Sequence, residues 1–432
     1  MSSILTNQGA MTALQTLKSI NKRLSDTREM VATGKRVNSA RDNAAVWAIS
    51  KTMESDVAGF ARIKDSLNLG QSSVAVARKG SETVVDLLTQ MKEKIVASQE
   101  ENVDRDKIQA DISALRDQIG AVVGAAQFNG LNLLKNTSQT ENSGAINVLA
   151  SLDRASDGVR ASDIRVRKQD LGMGLSSIGT GLSALAVAAN DITGFGDAAT
   201  GTLTGAATAP TGVTTFGSSA RQAVTAGTGF SITISGSTGD APANTSSGNE
   251  INYVARDGDT MADVSRALAA AYNRYVEASM GATATGGITA QADGNTITFT
   301  GAGQTGADFA VQVDQYAAHA SSTIGGGLSS LSYIDVSSEA GADAALADID
   351  RLLETAIDAS ASFGSSEMRL ETQTDFISGL SSALKSGIGT LVDADMEETA
   401  AALQALQVQQ QLSVTSLSIA NQSPQYLLQL FR

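Results

Sequence analysis

The apolar positions of this chain follow two different periods, and the change between them divides it. Near the start, Ala13, Leu17, Ile20, Leu24 and Val31 are spaced 4-3-4-7, the seam of a heptad helix. Asn38 to Asp42 interrupts the pattern, and Ser39 or Asp42 is suited to cap a new helix. Val46, Met53, Val57, Phe60, Leu67, Val74, Val85, Leu88 and Ile95 then share one register. This predicts a rod of roughly fifty residues, ~75 Å long at about 1.5 Å per residue. Glu100 to Asp104 reads as a turn, and a return helix follows with Ile108, Ile112, Leu115, Ile119 and Val122 on its seam. After Phe128, Asn129-Gly130 suits a C-cap or a tight turn. Near the other end, Ile349, Ala356, Phe363, Leu370, Ile377, Leu384 and Leu391 recur every seven residues, as in a helix of a bundle or coiled coil.

Between these rods the period falls to two. Phe230, Ile232 and Ile234 alternate with polar residues, as do Ile297 and Phe299 after Gly294-Asn295, and then Phe309, Val311 and Val313. These predict strands joined by Gly/Thr/Ser-rich turns, with one helix over Met261 to Val276. The expected fold is mainly α with a β-rich insert. Long antiparallel heptad helices from both termini form a rod or coiled-coil bundle, and a small α+β domain sits at its tip. The expected boundaries are 1–42 with 393–432 for the terminal helices, 43–193 with 339–392 for a helical rod domain with a small β-hairpin region, and 194–338 for the insert.

Charge sharpens this division. The chain has 432 residues and a formal net charge of −14, with 18% charged residues, against roughly 25% in an average soluble protein. No lysine occurs between Lys168 and Lys385, and 194–338 holds eleven acidic residues against four arginines. An acidic balance argues against binding a nucleic-acid backbone. Met1 to Leu17 has no charged side chain, and neither do the thirty-three residues from Thr399 to Phe431. Neither stretch is a membrane span, since glutamines crowd the second and no apolar run approaches about 18 residues. Ala401, Ala405, Val408, Leu412 and Ile419 form one apolar stripe there, and Leu403, Leu406, Val414 and Leu417 another. A helix with two apolar stripes separated by neutral amides meets neighbours on several sides. A buried charge costs several kcal/mol, whereas amides and hydroxyls can hydrogen-bond each other. The termini therefore have the composition of helices packed inside a large assembly. The start has no positive n-region or uninterrupted apolar h-region, so no cleaved secretory signal is expected.

Four runs resemble bacterial flagellin. They are Met1-Ser-Ser-Ile4-Leu5-Thr-Asn7 with Ser39-Ala40-Arg41-Asp42-Asn43-Ala44-Ala45-Val46-Trp47-Ala48-Ile49-Ser50, then Ala126-Gln127-Phe128-Asn129-Gly130-Leu131-Asn132-Leu133-Leu134, and the closing Ile419-Ala420-Asn421-Gln422-Ser423-Pro424-Gln425-Tyr426-Leu427-Leu428-Gln429-Leu430-Phe431-Arg432. Asp257-Gly258-Asp259-Thr260-Met261-Ala262-Asp263-Val264 is similar to a short repeat of flagellin and hook-associated outer domains. The resemblance implies an extracellular filament subunit that self-assembles as a homopolymer for swimming motility. It implies export without a cleaved signal, through the flagellar type III apparatus, and dealings with an export chaperone, the filament cap and hook-associated proteins. Terminal helices would form the filament core, the rod the tube wall and the insert the outer surface. Leu14, Leu17, Leu24, Leu406, Leu412, Leu417 and Ile419 are the expected core-packing residues. Asp42 and Asn43 would lie near the junction of tube core and wall. In many flagellins a Gln-Arg-x-Arg-Glu-Leu stretch is recognised by an innate immune receptor. The matching positions here are Gln90, Met91, Lys92, Glu93, Lys94 and Ile95, so both arginines are absent and the glutamate is replaced by a cation. A hook–filament junction protein shares the terminal pattern, and a surface adhesin acting through the insert is the other alternative.

Catalytic and cofactor chemistry finds little footing. There is no Cys and one His, which excludes thiolate and multi-histidine metal sites. Gly301-Ala-Gly303-Gln-Thr-Gly306 fits GxGxxG, but a strand pattern rather than a helix follows it, so a turn is expected. His319 stands alone. Asp393, Asp395, Glu397 and Glu398 lack the glycine of a calcium loop and suit a helix start. Asn136, Asn244 and Asn421 fit the N-glycan acceptor pattern. No enzyme activity, cofactor, metal, nucleic acid or membrane insertion is expected.

Overall fold

The computed structural model describes residues 7–155, 158–194, 200–280 and 287–429. Six helices occur among them: α1 (Gln8–Thr33), α2 (Ala44–Ala97), α3 (Arg105–Ala125), α4 (Met261–Met280), α5 (Glu339–Val392) and α6 (Met396–Gln429). The strands are β1 (Gln127–Phe128), β2 (Leu131–Asn132), β3 (Ala145–Ala155), β4 (Gly158–Arg167), β5 (Ile192–Gly194), β6 (Thr200–Leu203), β7 (Thr211–Phe216), β8 (Gly229–Ser235), β9 (Asn252–Val254), β10 (Thr289–Asp293), β11 (Thr296–Thr300) and β12 (Phe309–Tyr316). The chain divides into two compact units, one of residues 1–65, 151–159 and 374–432, the other of 66–150 and 160–373.

In the second unit, α2 buries Leu67, Gly70, Val74, Ala77, Ser81, Val84, Leu88, Met91 and Ile95 in 3-4 alternation, with Ser73, Gly80 and Leu87 buried beside this seam. This is the predicted seam with its small members added, and Val84 rather than Val85 lies on it. The α5 seam matches it, with Ile349, Ala356, Phe363 and Leu370 buried. Arg78 of α2 reaches across to Glu367 of α5 at 2.6 Å, and Lys92 reaches Asp350 at 2.6 Å. The Glu367 carboxylate holds the Arg78 guanidinium pKa above its ordinary value. The turn expected before Arg105 is present, with the Asp104 carboxylate capping α3 through Lys107 N–H. Asn129 and Gly130 take positive φ values of 50° and 79° between β1 and β2, which makes the tight hairpin turn of the two expected roles.

The β-rich part of this unit contains two four-stranded sheets, ordered β10-β11-β7-β5 and β6-β12-β8-β9. Pairing sets Val311 against Ile234 and Val313 against Ile232, so the alternating apolar residues of both strands face one side. They pack with α4, where Tyr272 meets Phe299 edge-on at 5.1 Å. The Asp257–Val264 run lies at the start of α4. Asp257 accepts from Asn136 Nδ2 through its carbonyl and from Gly144 N–H through its carboxylate. Asp259 accepts from the Tyr253 hydroxyl and from Arg256 N–H, and burial pushes its carboxyl pKa up. At the helix start the Asp263 carboxylate reaches back to accept from both the Thr260 N–H and its hydroxyl. This run is thus a structural knot that fastens two loops to a helix start. The Gly301–Gly306 segment is the turn between β11 and β12, with no helix after it.

Candidate assembly interface

The first unit is built around α1 and α6. Gly34, with φ of 70°, ends α1 by donating its N–H to Met30 O. The chain then pairs with the segment that breaks α5 from α6. Arg36 and Val37 donate to Val392 O at 2.7 and 3.2 Å, and Ala394 donates to Gly34 O at 3.0 Å. Asp395 caps α6 by accepting from Glu397 and Glu398 N–H, so the acidic group here is a helix start. From this fastened end the two helices run antiparallel. Asn21 Oδ1 accepts from Gln410 Nε2 at 2.7 Å, and Asn7 Nδ2 donates to Ala420 O at 2.8 Å.

The seam between them is a heptad on both sides. On α1 it comprises Ala10, Ala13, Leu17, Ile20, Leu24, Thr27 and Val31, of which Ile20 and Leu24 are buried. On α6 it comprises Thr399, Leu403, Leu406, Gln410, Ser413, Leu417 and Ala420. Among the seven expected packing residues, Leu17, Leu24, Leu406 and Leu417 therefore lie on the inner seam. Leu14, Leu412 and Ile419 point away from it, with exposures of 44%, 61% and 69%. Val408 and Val414 are exposed beside them. The outward stripe of α6, with Val408, Leu412 and Ile419, thus carries as many large aliphatic side chains as the inward one, which also contains Thr399, Gln410 and Ser413. An ordinary surface helix, by contrast, keeps its large aliphatic side chains on the inward face alone.

Residues 34–43 connect this pair to α2. Asp42 Oδ2 accepts from Asn38 N–H, Ser39 N–H and the Ser39 hydroxyl. The Ser39 bonds hold the Asp42 carboxyl below its ordinary pKa. Neither Ser39 nor Asp42 caps α2, contrary to expectation. Their bonds close the preceding turn, and the cap is Asn43, whose Oδ1 accepts from Val46 N–H at 3.1 Å. Asn7, Asn21 and Gln410 were absent from the expected packing set, because a seam reading based on apolar spacing passes over amides.

In the stretch 90–95, Met91 and Ile95 are fully buried against the second unit's helices. Lys92 pairs with Asp350 and Lys94 with Asp111, each at 2.6 Å, while Gln90 and Glu93 are exposed. Phe128 packs half-buried beside the Asn129-Gly130 turn. Asn421 and Gln422 are exposed on α6. Ser423 and Pro424 continue that helix, and their side chains lie outside the described residues, as do Met1 to Thr6 and Leu430 to Arg432. His319 is an exposed residue bonded to Ser321. No described helix is long and apolar enough to cross a membrane.

Two terminal helices zipped together, uncharged over much of their length and turning an aliphatic stripe to solvent, define a subunit built for assembly. The models of the bacterial flagellin N-terminal and C-terminal helical regions match residues 4–140 and 346–431. Flagellin A and flagellin B of Rhizobium meliloti are each 34% identical over 435 residues, covering all of this chain and all of each relative. Among solved structures, a flagellar hook associated protein-3 from Legionella pneumophila aligns with 79% of this chain and 98% of its own, at 13% identity and a TM-score of 0.35. The chain belongs to the bacterial flagellin family. It is a structural subunit of the flagellar filament, the extracellular polymer that serves swimming motility.

Proposed function

We propose that the α1–α6 pair is the polymerisation element, and that the outward stripe of Leu14, Val408, Leu412 and Ile419 docks on neighbouring subunits in the filament. The observation that carries this reading is the exposure of Leu412 and Ile419 on a helix without a charge from Thr399 onward. Burying one such side chain is worth about 2 kcal/mol, repeated at every subunit of the polymer. The inner residues Leu17, Leu24, Leu406 and Leu417 hold the pair together so that the stripe is presented in one piece. Ordering of the pair on docking, driven by that burial, fits segments that bury little of their apolar surface alone. Residues 1–42 and 393–432 then form the filament core, 43–193 and 339–392 the wall, and 194–338 the outer surface. Asp42 and Asn43 order the turn where core passes into wall.

The chain leaves the cell through the flagellar type III export apparatus. An export chaperone, the filament cap and hook-associated proteins are its other partners, and no catalytic step is involved. Recognition by the innate receptor is weak, because Met91 is buried where the stretch carries its first arginine and Lys92 and Lys94 are held in ion pairs.

Seeded growth tests the assembly reading. Purified chain, dissociated by mild heat and returned to neutral pH with short filament fragments, is expected to extend them into long tubes in negative-stain electron microscopy. Subunits that only cap the fragments would instead indicate a junction protein, and subunits that only decorate their sides an adhesin. A receptor reporter assay checks the second reading, which fails if activation equals that of a flagellin with the full Gln-Arg-x-Arg-Glu-Leu stretch.

A further inference from the structure

We infer that Asn7 is the clasp that closes the free end of the α1–α6 pair, and that it does so by occupying a carbonyl which Pro424 leaves open. In an α-helix each carbonyl accepts from the N–H four residues later. For Ala420 that residue is Pro424, which has no N–H to give. The Ala420 oxygen therefore lacks its ladder donor, and Asn7 Nδ2 reaches it at 2.8 Å. The same side chain works in the other direction as well, since its Oδ1 accepts from Ala10 N–H at 3.0 Å and caps α1. One amide thus satisfies an orphan donor at the start of one helix and an orphan acceptor inside the other.

The position of this contact gives it its purpose. The opposite end of the pair is fastened by backbone bonds around Gly34, Val392 and Ala394. Between the ends, the seam of α6 is weak in aliphatics, and Gln410 with Asn21 is the inter-helix amide bond found there among the described residues. Without a clasp the free end frays, and the outward Leu14 and Ile419 lose the common platform that docking requires. Asn7 is in this sense a positioning residue for assembly. The inference rests on the filament reading above, since the clasp matters where the pair is packed between neighbours.

The chain has no cysteine, so paired nitroxide labels can be placed cleanly. Thr12→Cys with Ser416→Cys reports the free end, and Ser25→Cys with Gln404→Cys reports the fastened end. Labelled chain is co-polymerised with an excess of unlabelled chain, and label-to-label distances are read by double electron–electron resonance in the filaments. Asn7→Ser is the informative variant, because serine caps a helix as well as asparagine but is too short to reach Ala420. Pro424→Ala is the second, because it returns an N–H to the ladder. In the unsubstituted background both label pairs are expected to give one narrow distance. In either variant the free-end distribution is expected to broaden at least twofold, the fastened-end distribution to stay narrow, and the double variant to be no broader than the single ones. A narrow free-end distance in either variant overturns the inference and leaves the paired-helix reading standing. A broad free-end distance already in the unsubstituted filament overturns both. Unchanged thermal unfolding of the second unit by circular dichroism shows that the variants fold.

Discussion

Phe363 and Leu412 are both large apolar side chains on long helices, and each recurs at seven-residue spacing with its apolar neighbours. Phe363 is fully buried within a single chain, while Leu412 is 61% exposed. The second unit completes its core by itself. Its α2 and α5 seams are buried, its sheets and α4 enclose Tyr272, Phe299 and Phe309, and the Arg78–Glu367 and Lys92–Asp350 pairs tie the two helices together. The α1–α6 pair closes one seam and leaves an equally aliphatic one open. The same heptad code therefore serves two ends. Where a small residue such as Gly70 lets a neighbour approach, here Val148 of β3, it makes a closed core. Where both faces of a helix are apolar and uncharged, it makes a subunit whose burial is completed only by other subunits.

The sharpest way to break this comparison is to charge the open stripe. Leu412→Lys is expected to abolish seeded filament growth, because an unpaired ammonium buried between subunits costs several kcal/mol. The same change should leave the thermal unfolding of the second unit where it was, because residue 412 is exposed in the isolated chain. Growth of normal tubes from this variant would remove the outward stripe from assembly. The converse substitution is Phe363→Ala. A cavity there should destabilise the chain by about 3–5 kcal/mol in denaturant titration, while filaments still grow at temperatures well below the lowered midpoint. If instead Leu412→Lys lowered the unfolding midpoint and Phe363→Ala did not, the two regions would have exchanged roles.

How much of this was legible in the residues depended on the size of the seam members. The every-seventh positions Leu67, Val74, Leu88 and Ile95 of α2, and Ile349 to Ile377 of α5, stand out by volume and all are buried. The small seam members Gly70, Ala77 and Ser81 carry little hydrophobic signal, yet all three are buried on the seam. A Cβ at Gly70 would meet Val148 Cγ1 at 2.7 Å. At the assembly site, the two stripes of α6 were visible in the spacing, but which of them faces α1 was not. Both are apolar enough to pack, and the backbone bonds among Gly34, Val392 and Ala394 that fasten the pair leave no trace in side-chain spacing. Val414 was grouped with the inner stripe and lies outside it. Strands β5, β6 and β7 were not picked out individually, because Thr200–Leu203 and Thr211–Phe216 alternate glycine and threonine with few large residues.

The smallest effects belong to the turn between the two regions, and they sharpen the comparison because the chain's one tryptophan, Trp47, reports on it. Loss of the α2 cap in Asn43→Ala should cost about 1 kcal/mol, seen as faster amide exchange in the first turn of α2 with the rest of the helix unaltered. Asp42 adds a pH dependence of known sign. Its carboxylate accepts from Ser39 and Asn38, and its folded pKa lies below the ordinary 3.8, so the unfolded turn binds the proton more readily. The stabilisation it gives is therefore complete above 3.8 and is lost as pH falls through the lower, folded value. Trp47 fluorescence under denaturant titration should show Asp42→Asn less stable than the unsubstituted chain at neutral pH, with the difference closing only below 3.8. Asp42 is solvent-exposed, so the difference should be small and should not extend to the second unit. A gap that stayed constant down to strong acid would mean that the turn is held by neutral bonds alone. The junction would then respond to acid no differently from the cores on either side of it.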